Sequence, residues 1–150
     1  METKLDKIIS YMLHKNKNLV VYQIDKMLYF IQAYSLVKYD KVAFDNKIVC
    51  GFFGATIPDF SKNLKRYNLQ KYMNDDYKFL EIDLTKIIDE VIESYSDYNK
   101  IALGGLTMSY IPFYSQENFD ISDIGKIEVN PDWIKEYHNK RYSENNGYIF

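Results

Sequence analysis

The sequence predicts a mainly α fold: one compact helical bundle of about five to six helices around a central buried helix at about 22–37, with at most a small β element. Three observations predict it. The stretch from Ile24 to Leu36 is apolar almost all the way round a helical wheel. Ile24, Met27, Leu28 and Ile31 share one face with Ser35, while Phe30, Ala33 and Val37 cover much of the opposite side. A soluble protein buries such a helix among others. Two further segments carry one apolar stripe at helical spacing, Leu5-Ile8-Ile9-Met12-Leu13 and Leu84-Ile87-Ile88-Val91-Ile92-Tyr95. Finally, 150 residues with 47% hydrophobic content can bury a single sizeable core, and no repeat or low-complexity linker divides them.

Taken in order, the first helix is expected over about 4–13, started by Thr3 with Asp6 three residues on. Lys15-Asn16-Lys17-Asn18 is a polar turn before the central helix. Tyr39-Asp40-Lys41 and Asp45-Asn46-Lys47 read as turns. Lys47–Phe53 is a short helix or an extended piece, with Gly51 and Gly54 bracketing Phe52-Phe53. Pro58 suits the first turn of a third helix with Phe60, Leu64 and Tyr67 on one face. Residues 69–80 read as loop. Asp83 is expected to cap a fourth helix over 84–97. A fifth helix around 99–108 is expected to be interrupted by Gly104-Gly105, and Pro112 makes Ile111–Tyr114 an extended aromatic corner. Asn130, Pro131 and Asp132 start the last helix, which would bury Trp133, Ile134 and Tyr137. Residues 143–150 read as a frayed tail.

Charge is uneven. Residues 1–72 hold 12 Lys/Arg against 6 Asp/Glu, and residues 73–150 hold 7 against 15, for a net charge of −2. Such polarity can steer a partner or simply reflect solvated helix faces. Aromatics reach 17%, and 15 of them are Tyr, a residue that serves both cores and contact surfaces. The single Cys50 excludes an internal disulfide, and no run approaches the roughly 18 apolar residues of a membrane span. The polar start does not read as a signal peptide, so the expected location is cytoplasmic.

Chemistry is sparse. His14 and His138 each fall near an expected helix end, where a dipole contact accounts for them. Cys50 has no neighbouring His and reads as a small core residue. No spacing of His, Cys or carboxylates fits a metal, no glycine pattern fits a phosphate, and no nucleophile elbow occurs. The expectation is therefore no enzyme, no catalytic residue, no cofactor and no metal. Nucleic acid is not favoured as a partner, because a basic recognition helix is missing. The Asp25–Tyr29–Gln32 seam reads either as a buried polar network or as a groove for a partner. The run Phe52, Phe53, Phe60 reads first as core.

Several of these stretches resemble the Panacea domain family, which includes SocA-like and phage-associated antitoxin-like proteins. Ile24-Asp25-Lys26-Met27-Leu28-Tyr29-Phe30-Ile31-Gln32-Ala33 is similar to the family's lysine–leucine–tyrosine helix. Val42-Ala43-Phe44-Asp45 resembles its proline–leucine–phenylalanine–aspartate loop, and Gly54-Ala55-Thr56-Ile57-Pro58-Asp59-Phe60 its Gly-Pro-Val-Val-Pro-x-Tyr turn. Leu106–Phe113 resembles its late leucine–threonine–histidine…proline–tryptophan motif. The family's Ala-Trp before the turn stands here as Cys50-Gly51, its first turn proline as Ala55, and its late histidine and tryptophan as Met108 and Phe113, which marks a divergent member.

The resemblance implies structural roles for Asp25, Leu28, Phe44, Gly54, Pro58, Phe60 and Pro112. It implies an antitoxin-like module that neutralises a toxin by direct stoichiometric binding. Candidate partner contacts are Tyr22, Lys26, Tyr29, Gln32, Lys62 and Arg66. Other expectations are a proteolytic adaptor, a phage-encoded counter-defence inhibitor of a host nuclease acting through the same kind of surface or through the acidic 75–97 and 117–136 regions, and a DNA-binding autoregulator. A homodimer is compatible with the aromatic surface.

Overall fold

Thr3 opens the first helix, α1 (Lys4–Lys15), by accepting from the Asp6 amide while Asp6 accepts from the Thr3 amide. Two of the unpaired N–H groups at the helix start are thereby satisfied reciprocally. The computed structural model describes residues 3–62, 68–111, 114 and 120–144. Within them the chain is mainly helical.

The central helix α2 (Val21–Tyr39) begins one residue earlier and ends two later than its periodicity predicts. Leu28, Tyr29, Phe30 and Ile31 are all fully buried, so four consecutive directions of the helix point into protein. It ends at Asp40, whose left-handed backbone an aspartate tolerates. A two-stranded antiparallel hairpin follows, β1 (Val49–Gly51) and β2 (Gly54–Thr56), in the register Val49–Thr56, Cys50–Ala55, Gly51–Gly54. The segment 125–129 lies along the other edge of β1: Cys50 donates to the Ile127 carbonyl at 2.9 Å, and Gly125 donates to that of Cys50 at 2.7 Å. Pro58 then begins α3 (Pro58–Ser61) with Phe60 buried. Leu64, Arg66 and Tyr67 lie outside the described residues, as do Pro112, Phe113 and the tail from 145.

The expected start of the fourth helix needs correction. α4 (Ile82–Tyr95) follows an extended Glu81, and Asp83 sits in its first turn rather than capping it. There the carboxylate still faces the positive end of the helix. The fifth helix also differs: α5 (Lys100–Tyr110) runs unbroken through Gly104-Gly105, capped by Asn99, whose side chain accepts from Ala102. The last helix, α6 (Pro131–Glu144), starts as expected, with Asn130 accepting from Asp132 at 2.8 Å. It buries Ile134 and His138, one turn apart, and leaves Trp133 47% exposed. The stripe facing α2 is thus rotated one residue past the expected one. The end expected to fray at 143 is helical to Glu144.

α2 packs against α4, α5, α6, β2 and α3. The charge polarity of the sequence is partly spent inside this arrangement. Lys4 meets Glu81 at 3.1 Å, Lys15 meets Asp89 at 3.7 Å and Lys38 meets Glu90 at 2.8 Å. Basic groups of α1 and α2 therefore dock the acidic α4 and its approach. No helix among the described residues is long and apolar enough to cross a membrane.

Candidate functional site

The polar seam of α2 points inward and holds three separate pieces of chain. The Asp25 carboxylate accepts from the Ile57 amide at 3.0 Å and from the Lys26 ammonium at 3.1 Å. Lys26 also donates to the Ala55 carbonyl at 2.7 Å. Both side chains are about nineteen parts in twenty buried, with 6% and 5% exposed. Tyr29 shares a 2.9 Å hydrogen bond with the His138 imidazole on α6. Gln32 accepts from Ala43 at 2.7 Å and donates to the Phe44 carbonyl at 3.0 Å, fastening the loop after α2. A buried polar group needs such partners, and these partners fix where β2, α6 and the 43–44 loop sit on α2.

This geometry corrects two expectations. Tyr29 and Gln32 are interior, so neither side chain reaches a partner in this fold. His138 is no helix-end residue: it lies within α6, fully buried, its ring 5.0 Å from Tyr110 and 5.2 Å from Tyr137. Its link to Tyr29 spans 109 residues of sequence, which no local pattern reveals.

The β1–β2 turn consists of Phe52 and Phe53, and it is here that the expected core run divides. Phe60 is buried, whereas Phe52 and Phe53 are 58% and 54% exposed. Their rings meet edge to face at 4.9 Å. Two-residue hairpin turns favour Gly, Asn and Asp, so two phenylalanines at this tip break the local rule. The two bracketing glycines are the sequence feature that could have disclosed the turn.

The hairpin is held against α5 at short range. Gly54 has φ +105°, and a Cβ there would collide with the Thr107 hydroxyl. A Cβ on Gly104 would collide with the Phe53 carbonyl oxygen. Thr107 completes the contact by accepting from the Ala55 amide at 3.0 Å and donating to the Gly104 carbonyl at 2.9 Å. Gly104, one of the pair that reads as an interruption, is thus what lets the turn approach the helix.

Between hairpin and α2 opens a cleft of about 400 Å³, lined by Val21, Tyr22, Asp25, Lys26, Gly51 to Gly54, Thr56, Ser61 and Lys100. Tyr22 stands half-exposed on its rim, and Lys26 is on its floor. The Lys100 ammonium bridges the two walls, 3.9 Å from the Tyr22 ring centre and 4.2 Å from that of Phe53. A cation over two aromatic faces is attracted to both. Lys62 follows the lining residue Ser61 and is exposed, and Arg66 lies outside the described residues.

Burial raises the hydroxyl pKa of Tyr29 strongly and lifts the Cys50 thiol to about 11, so Cys50 is a protonated interior group rather than a nucleophile. Among the described residues, no group of three or more His, Cys, Asp or Glu is placed to hold a metal ion. The chain matches no family model, no curated protein and no solved structure.

Proposed function

We propose that this chain is a protein-binding module of antitoxin type, a divergent member of the Panacea domain family, which neutralises a toxin by direct stoichiometric binding. The observation that carries the reading is the pair Phe52–Phe53, held in the open at the tip of a glycine-bounded turn beside a cleft. Exposed aromatic side chains backed by a rigid scaffold are what interface anchors are made of. The hairpin is fixed by Thr107 and the close approach of Gly104 on α5 and by segment 125–129 along the other edge of β1. Tyr22 and Lys100 extend the same surface. Bound there, the partner's functional surface would be covered rather than chemically altered, so no catalytic group is needed.

The counter-defence reading draws less support. Its acidic-surface version meets Glu81, Asp89 and Glu90 already answering lysines of α1 and α2. The test is co-expression with each of the proteins encoded on either side of the chain's own gene. The expected outcome is rescue of growth and a one-to-one complex by light scattering. F52A/F53A should weaken that complex by about thirtyfold or more, as loss of interface anchors does, with the far-ultraviolet circular dichroism unchanged. No rescue and no complex would discard the reading.

A further inference from the structure

Resting on that reading, we infer that the cleft between α2 and the hairpin takes an acidic, apolar peptide segment of the partner, a carboxylate seated on Lys100 and a neighbouring apolar side chain against the walls that Val21, Phe52, Phe53 and the Tyr22 ring form. Three observations converge on this chemistry. The first is the state of the cleft's charges. Asp25 and Lys26 on the floor answer one another at 3.1 Å, and Asp25 is also satisfied by the Ile57 amide. Lys100 is then the ionised lining group without an anion: among the described residues its ammonium has ring contacts and no hydrogen bond or ion pair.

The second is position. Lys100 is the first residue of α5, where the helix dipole presents its positive end and disfavours a cation. A lysine kept there, over two rings, is placed against local preference, as groups of binding sites often are. Its three ammonium hydrogens remain available to an incoming oxygen, and Lys26 on the floor has one hydrogen beyond those given to Asp25 and Ala55. The third is the wall chemistry. Val21, Phe52, Phe53 and the Tyr22 ring are apolar surface that an aliphatic or aromatic side chain would cover.

Peptide is favoured over a phosphate ligand for the same reasons. A dianion would need more than one uncompensated cation to balance it, and Lys26 is already answered by Asp25. A single carboxylate needs one cation, which is what the rim offers.

The experiment pans a random dodecapeptide library against the full chain. Enriched peptides are expected to carry Asp or Glu next to Phe, Leu, Ile or Trp. The best of them should bind wild type in fluorescence anisotropy, weaken with added salt, and lose about tenfold in affinity to K100E while K100R retains most of it. Its Glu→Gln or Asp→Asn version should lose a similar factor on wild type. Peptides that need Phe52 and Phe53 but show no acidic bias, or bind K100E equally, would overturn the charge assignment and leave the protein-binding reading standing. Failure to enrich any peptide, or binding that is indifferent to F52A/F53A, would overturn both. Binding of AMP with the same Lys100 dependence and no peptide enrichment would assign the cation to a phosphate and overturn the inference.

Discussion

At the scale of single residues, the most consequential pair is Asp25 and Lys26. Each is buried because the other is there, and the Ile57 amide depends on the same carboxylate. D25A leaves an unanswered ammonium and an orphaned N–H in the interior, and is expected to cost about 3–5 kcal/mol in urea unfolding. D25N/K26M should cost less, because the amide oxygen still serves Ile57 and no charge is left alone. A smaller cost for D25A than for the double variant would count against this account. The buried tyrosines set a second expectation. Burial pushes the Tyr11, Tyr34 and Tyr72 hydroxyls up to about 12, with the Asp89 hydrogen bond adding to the effect at Tyr11. In the unfolded chain they titrate near 10, so between these values the unfolded state holds fewer protons. The stability from this source is complete below about pH 10 and is lost as pH rises through about 12. The share of tyrosinate absorbance that comes from these three residues should therefore appear together with loss of helical circular dichroism, rather than ahead of it.

At the scale of elements, α5 and the hairpin form one unit, and neighbouring glycines in it have opposite expectations. Gly105 faces open space, so G105A should stabilise by about 0.5–1 kcal/mol, the ordinary gain of alanine within a helix. G104A drives a methyl group into the Phe53 carbonyl and should destabilise by about 2 kcal/mol or more. Thermal unfolding of the two variants separates them by sign. The same pair shows what was legible beforehand. Thr3 with Asp6, and Asn130 with Pro131, act on their own helix within one turn, so their pattern alone located α1 and α6. The apolar circumference of α2 likewise announces burial without naming its neighbours. Gly104 answers to Phe53, a third of the chain away, and His138 answers to Tyr29, further still; nothing local records either. Phe52 and Phe53 have the composition of core residues, and only the register of β1 with β2 turns them outward.

At the scale of the whole molecule, α2 touches α3, α4, α5, α6 and β2, and ion pairs tie α1 and α2 to α4 and its approach. With one shared core, far-ultraviolet and near-ultraviolet circular dichroism are expected to report a single coincident transition in urea. Two separated midpoints would show that one part of the chain comes away before the rest, against a single shared core. The surface pairs contribute at most about 1 kcal/mol each, so moderate salt should shift that midpoint only slightly. The placement of α2 also bears on how the chain is made. This helix is complete once residue 39 has been added, yet much of what covers it starts no earlier than Ile82. Throughout that interval of synthesis a largely apolar rod, with only the 43–44 loop, β2 and α3 against it, stands partly uncovered at the ribosome, exposed to mispairing until the later helices arrive.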